Sequence, residues 1–156
     1  MPDGLFGEMR CEMKAKSKDV HHEFRILVCG SRDWTDDSAI RLALNRVMVE
    51  SGLQRDQVLV ITGSTKEDDN GVDSIVEELC RTEFGIACAI FRAPWTFMHK
   101  RGNRRAAGPM RNGWMLKWGK PNLVLAFHPY LPNSRGTKNT CEQARKLGIP
   151  VRVVEK

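Results

Sequence analysis

The chain has 156 residues, of which 41% are hydrophobic, so it has apolar material for one core and hardly enough for two independent domains. Its formal net charge of +6 is a modest excess, and its five scattered cysteines, without a C-x-x-C pair, are typical of a reducing compartment. No stretch resembles a signal peptide or reaches the length of a membrane span, so we predict a cytoplasmic protein without a membrane partner.

The N-terminal residues 1–23 are polar and rich in Lys and Met, and they show neither helical nor strand periodicity. This pattern predicts a flexible N-terminal extension, followed by a single domain over residues 24–156. Cys11, His21 and His22 match the ligand spacing of no known metal site. We predict no metal site and no cofactor.

Short β-branched runs alternate with helical segments from residue 24 onward. The runs predict strands at residues 24–29, 57–61, 86–91, 122–127 and 151–154. Apolar side chains recur at helical spacing between them, which predicts helices at residues 36–51, 72–84, 109–118 and 138–147, with Pro109 at a first helical position. Because most of the strands are apolar on both faces, the pattern predicts a doubly wound, mostly parallel α/β sheet with helices on both faces.

Ligands of such sheets bind beyond the carboxyl ends of the strands, where the strand order reverses. The strand-to-helix connections of this chain are rich in glycines, hydroxyls and arginines. The predicted ligand-binding residues in these connections are Gly30, Ser31, Arg32, Gly63, Ser64, Gly71, Asp73, Arg111, Asn112, Gly136 and Thr137.

These residue types suit a phosphorylated ligand. Arg32 and Arg111 would clamp the phosphate, the glycines would let the backbone approach it, and the helix N-termini would favour an anion. Asp73 has two interpretations, as a first-turn acid that complements a helix dipole or as an acceptor for a ribose hydroxyl. Trp34 either stacks on a base or fills a hydrophobic gap.

The second half of the chain is strongly cationic. No Asp or Glu occurs between Phe84 and Cys141, whereas this stretch contains Arg92, Lys100, Arg101, Arg104, Arg105, Arg111, Lys117, Lys120, Arg135 and Lys138. The distribution favours phosphate, in a small ligand or in a nucleic acid backbone, and the alternative is a solvated basic surface. Trp95, Phe97 and His99 are predicted to lie in a loop.

Four sequence blocks resemble YspA/YpsA-related proteins of the SLOG superfamily, which also includes the LOG phosphoribohydrolases and the DprA DNA-processing proteins. The blocks are Gly30-Ser31-Arg32-Asp33-Trp34, Gly71-Val72-Asp73, Ala106-Ala107-Gly108-Pro109-Met110-Arg111-Asn112 and Gly136-Thr137. The resemblance implies a Rossmann-like three-layer fold that binds nucleotides or nucleotide derivatives, such as ADP-ribose relatives, and that often forms homo-oligomers.

The sequence departs from these relatives at two places. An acidic insert, Lys66-Glu67-Asp68-Asp69, separates Gly63 from Gly71, where YspA-like proteins have a compact turn. Thr140 occupies the position of the glutamate that the LOG enzymes use to cleave an N-glycosidic bond, and a threonine supplies no carboxylate.

Three functions therefore stay open. The leading one is binding or sensing of a nucleotide, an ADP-ribose-like molecule or a cyclic nucleotide. The second is hydrolysis of a nucleotide at its N-glycosidic bond, with Asp33 or Asp73 replacing the missing glutamate. The third is single-stranded DNA binding in the manner of DprA, which the basic run from Lys100 to Arg105 favours.

Overall fold

The structure, a computed structural model, describes residues 22–64 and 71–155. Most of the predicted N-terminal extension lies outside the described residues, as does the acidic insert at residues 66–69. The described residues form an α/β fold, which confirms the predicted fold class.

Five parallel strands form a single sheet in the order β3-β2-β1-β4-β5. Their bounds are β1 (Phe24–Gly30), β2 (Val58–Ser64), β3 (Ala87–Arg92), β4 (Leu123–Phe127) and β5 (Val151–Val154). The strand order runs outward from β1 in both directions, so it reverses between β1 and β4. The carboxyl ends of these two strands are therefore the expected ligand edge.

Within the described residues, five α-helices pack around this sheet, with bounds α1 (Asp37–Ser51), α2 (Val72–Leu79), α3 (Trp95–Lys100), α4 (Ala107–Lys117) and α5 (Gly136–Lys146). The sequence predicted four of them. Helix α1 is capped at both ends, because the Asp36 side chain accepts a hydrogen bond from the Ala39 amide at 3.0 Å and Gly52 ends the helix with a φ of 66°.

Two predictions about local structure were wrong. Trp95, Phe97 and His99 do not lie in a loop but in α3, a helix too short to show an apolar period. Pro109 is not at a first helical position, because α4 begins two residues earlier, at Ala107. The predicted helix at residues 72–84 is α-helical only as far as Leu79, and it continues as a π-helical turn at Cys80–Phe84.

The two faces of the sheet bury two separate hydrophobic clusters. Ile26 and Val28 of β1 point to the face covered by α1 and α2, whereas Leu27 and Cys29 point to the face covered by α4 and α5. Every residue of strand β4, which lies between β1 and the edge strand β5, is buried. A sheet covered on both faces leaves its carboxyl edge as the place where polar side chains can gather.

Candidate functional site

A cavity of about 320 Å³ lies at the carboxyl ends of β1, β2 and β4, where the strand order reverses. The sequence predicted a ligand site at this edge. The lining residues are Cys29, Gly30, Ser31, Arg32, Asp33, Gly63, Val72, Asp73, Ser74, Glu77, Arg111, Asn112, Met115, His128, Ser134, Gly136, Thr137 and Thr140. The walls thus come from the turn after β1 and from α2, α4 and α5.

The turn after β1 is held against α2 by the backbone. The Val72 amide donates a hydrogen bond to the Ser31 carbonyl at 3.2 Å, and the Asp33 amide donates to the Ser31 hydroxyl at 3.1 Å. Gly71 has a φ of 91°, and a Cβ there would lie 2.7 Å from the Ser31 carbonyl oxygen. Gly71 therefore allows two backbone segments to meet, and it does not line the cavity.

Arg111 is the most unusual side chain of the cavity. Two of its guanidinium nitrogens, Nε and Nη1, are buried and have no hydrogen-bond partner. Burial is the main cause that lowers the pKa of Arg111; the Asp73 carboxylate opposes this effect, and the charge of Arg32 adds to it. Leaving buried donors of a cation unpaired costs free energy, and such exceptions concentrate at functional sites.

Gly63 is the reason why this guanidinium fits beside the sheet. A Cβ at residue 63 would lie 2.7 Å from Cζ and 2.8 Å from Nη1 of Arg111. Arg111 therefore packs directly on the bare backbone at the end of β2. The glycine shapes the position of the arginine.

Asp73, in the first turn of α2, is the carboxylate whose charge acts on the pKa of Arg111. Burial raises the pKa of Asp73 from 3.8 to about 6; Arg111, a hydrogen bond from the Thr62 hydroxyl at 2.9 Å and Arg32 pull the pKa down, whereas Glu77 raises it. The carboxyl group is therefore partly protonated near neutral pH. It is an incomplete counter-ion for the two arginines.

The N-terminus of α5 closes the other side of the cavity. Ser134 caps this helix, because its hydroxyl accepts a hydrogen bond from the Thr137 amide at 3.0 Å. Asn112 is only 3% exposed, and its amide nitrogen donates to the Asn139 side chain at 3.2 Å and to the Gly136 carbonyl at 3.4 Å. Asn112 thus joins α4 to α5, which places Arg111 next to the positive end of a helix dipole.

The structure brings most of the predicted ligand-binding residues together. Gly30, Ser31, Arg32, Gly63, Asp73, Arg111, Asn112, Gly136 and Thr137 all line the cavity, as does Asp33. Gly71 does not, and the side chain of Ser64 lies outside what the structure describes. Arg32 and Arg111 face one cavity rather than opposite sides of the molecule.

Trp34 is not available for base stacking, so that interpretation is corrected. Its side chain is only 2% exposed and belongs to the cluster under α1 and α2. The ring packs edge-on against Phe127 with 5.7 Å between centroids, and its indole N–H donates to the Asp36 carbonyl at 2.8 Å. The ring fills the core, which was the alternative interpretation.

Sequence reasoning missed four polar lining residues: Ser74, Glu77, His128 and Ser134. Glu77 carried a usable signal, because it follows Asp73 by one helical turn and so shares its face of α2. Thr140 also lines the cavity, and its hydroxyl donates to the Gly136 carbonyl at 3.2 Å. The carboxylates of this cavity therefore come from the β1 turn and α2.

Comparison of the chain with protein-family models, with curated proteins and with solved structures finds no match. Over residues 22–64 and 71–155, no helix has the length and apolar character needed to cross a membrane. Within the same residues, no group of three or more His, Cys, Asp or Glu side chains is arranged to hold a metal ion.

Proposed function

We propose that the protein binds a phosphorylated, nucleotide-derived ligand, such as a nucleotide, an ADP-ribose-like molecule or a cyclic nucleotide, in the cavity between β1 and β4. The observation that carries this proposal is the buried guanidinium of Arg111, whose Nε and Nη1 lack partners. A phosphate in the cavity is the natural partner for this cation, because a guanidinium pairs with a phosphate through both charge and hydrogen bonds.

The surroundings of Arg111 support an anion rather than a neutral ligand. Arg32 adds a second positive charge, and the N-terminus of α5 adds the partial positive charge of its helix dipole. The carboxylate of Asp73 offsets only one of the two guanidinium charges. These positive groups attract a phosphate, while the carboxylates of Asp33, Asp73 and Glu77 line the same cavity.

The acidic wall of the cavity supports a sugar next to the phosphate. Asp73 and Glu77 lie on one face of α2, and Asp33 lies on the turn after β1. Carboxylates accept hydrogen bonds from hydroxyl groups, and a ribose offers two of them. An anion-binding side and a hydroxyl-binding side within one cavity fit a ribose phosphate.

Thermal melting of the full chain with AMP, ADP-ribose and cyclic AMP tests this proposal, with adenosine as the control that lacks phosphate. A ligand at a hundredfold excess over its Kd adds about 2.7 kcal/mol to the free energy of unfolding. We expect at least one phosphorylated compound to raise Tm and adenosine to have no effect. Equal shifts with AMP and adenosine, or no shift with any phosphorylated compound, would refute the proposal.

A second proposed function is hydrolysis of the N-glycosidic bond of the bound nucleotide. It is favoured by Asp73, because a carboxyl group with a pKa of about 6 inside a ligand cavity is suited to proton transfer. Incubation with AMP should then release adenine, and Asp73→Asn should abolish the release while Asp33→Asn tests the other carboxylate. Unchanged adenine release by both variants would exclude this mechanism.

A further inference from the structure

A second cationic site lies outside the cavity, on the segment Trp95–Ala106, which we call the basic hook. It comprises α3 and the following 3-10 turn at Arg104–Ala106. Every residue from His99 to Arg105 is exposed, and four of these residues carry a positive charge: Lys100, Arg101, Arg104 and Arg105. No residue of the hook lines the cavity.

The backbone holds the basic hook in a defined shape. The Asn103 amide donates to the Met98 carbonyl at 2.9 Å, the Gly102 amide donates to the His99 carbonyl at 3.0 Å, and Gly102 has a φ of 71°. Met98 is buried and anchors the hook to the domain. The four cations are therefore displayed by a folded element.

The charges of the basic hook form no ion pair within the part of the chain that the structure describes: no acidic side chain there pairs with Lys100, Arg101, Arg104 or Arg105. The sequence contains no acid from residue 85 to residue 140, so nothing nearby in the chain neutralises them. Such a concentration of unpaired charge attracts a polyanion.

Two arginines of the hook are positioned by aromatic rings. The guanidinium carbon of Arg101 lies 4.6 Å from the centroid of the Phe97 ring, and that of Arg104 lies 5.8 Å from the centroid of the Trp95 ring. Cation–π contacts hold these guanidinium groups over the rings. An ordered guanidinium plane is a surface on which an unpaired base stacks.

We infer that the basic hook binds single-stranded nucleic acid, with its cations on the phosphates and Arg101 and Arg104 under the bases. Duplex nucleic acid fits less well, because its bases are not available for stacking. This site is separate from the cavity, so it does not rest on the proposed binding of a small ligand.

Fluorescence anisotropy with a labelled oligothymidylate of about 15 nucleotides, a length near the upper site size of single-strand binders, tests the inference on the full chain. The variant Arg101→Gln/Arg104→Gln should lower the affinity at least tenfold. It should also reduce the slope of log K against log [salt] by about 1.4, since each phosphate contact on a single strand contributes about 0.7. The matched control is Arg46→Gln/Arg55→Gln, which removes two exposed arginines outside the hook and should change the affinity less than twofold.

The variant Arg101→Lys/Arg104→Lys separates stacking from charge. It should keep the salt dependence and lose part of the affinity, because lysine keeps the charge and lacks the planar group. Saturating AMP should leave oligonucleotide binding unchanged, since the cavity and the hook are different sites.

Several results would overturn the inference. They are absence of binding at low ionic strength, equal loss of affinity in the control variant, displacement of the oligonucleotide by AMP, and equally tight binding of a duplex or of polyglutamate. Each variant should have the same Tm as the wild type, which shows that it is folded. None of these results would change the outcome of the melting experiment with AMP, so the two proposals can fail separately.

Discussion

Arg111 and Arg104 belong to the same short stretch of chain but lie in opposite environments. Arg111 is largely enclosed by the protein, and two of its nitrogens are buried without partners. Arg104 is exposed and rests near the Trp95 ring, where water solvates its charge. The comparison teaches that the same residue type serves two kinds of recognition: the buried cation selects one anion at a cost in stability, whereas the exposed cation attracts the phosphates of a nucleic acid strand at little cost.

The largest expected effect comes from removing the buried cation. Arg111→Met should weaken binding of a phosphorylated ligand at least about thirtyfold, because it removes a buried charge partner. At pH 5, where Asp73 is largely protonated, the same change should leave the free energy of unfolding unchanged or raise it, since an unpaired buried charge disappears. Titration calorimetry and chemical denaturation measure the two effects.

Arg101→Met is the matched control for this prediction. It should change the free energy of unfolding by less than about 0.5 kcal/mol, as surface substitutions usually do, and should not alter binding of AMP. If both variants weaken AMP binding equally, the distinction between the buried and the exposed arginine is wrong.

The next effect concerns the pH dependence of stability. The pKa of Asp73 is raised in the folded protein from 3.8 to about 6, so the folded state binds this proton more tightly than the unfolded state. The stabilising contribution of the protonated group is complete below about pH 4 and is lost as the pH rises to about 6, by up to about 3 kcal/mol. Asp73→Asn should remove this loss, so the variant should be more stable than the wild type at pH 7.

Urea denaturation at pH 4 and pH 7 measures this effect. Glu78→Gln is a suitable control, because Glu78 is an exposed carboxylate of the same helix. A stability gain at pH 7 that is equally large for Glu78→Gln would show that net charge, and not the buried site, is responsible.

The smallest effect comes from adding one methyl group under the buried guanidinium. Gly63→Ala places a Cβ 2.7 Å from Cζ of Arg111, so it should cost about 1–3 kcal/mol of stability and weaken ligand binding. In an Arg111→Ala background the stability cost should largely vanish, because the clashing group is gone. A double-mutant cycle measures this coupling, and additive effects would show that residue 63 does not position the arginine.

The fold was predictable from the sequence because its signals are local. Apolar runs located all five strands, and Asp36 and Gly52 marked the ends of α1 through capping chemistry. Helix α3 was not predictable, since its six residues show no apolar period and follow a proline.

The candidate site was predictable in part. Arg32 and Arg111 could be assigned to one edge because parallel strands end at the same side of a sheet. The sequence did not reveal that Gly63 shapes the Arg111 position or that Gly71 allows two backbone segments to meet, because both roles depend on tertiary contacts. Trp34 was ambiguous for the same reason, since a turn aromatic can face either the ligand or the core.

The most direct test of the account is a crystal structure of the protein grown with AMP at a saturating concentration. The account predicts the phosphate in the cavity between β1 and β4, with an oxygen about 2.7–2.9 Å from a guanidinium nitrogen of Arg111. A phosphate bound elsewhere, with Arg111 still lacking a partner, would contradict it.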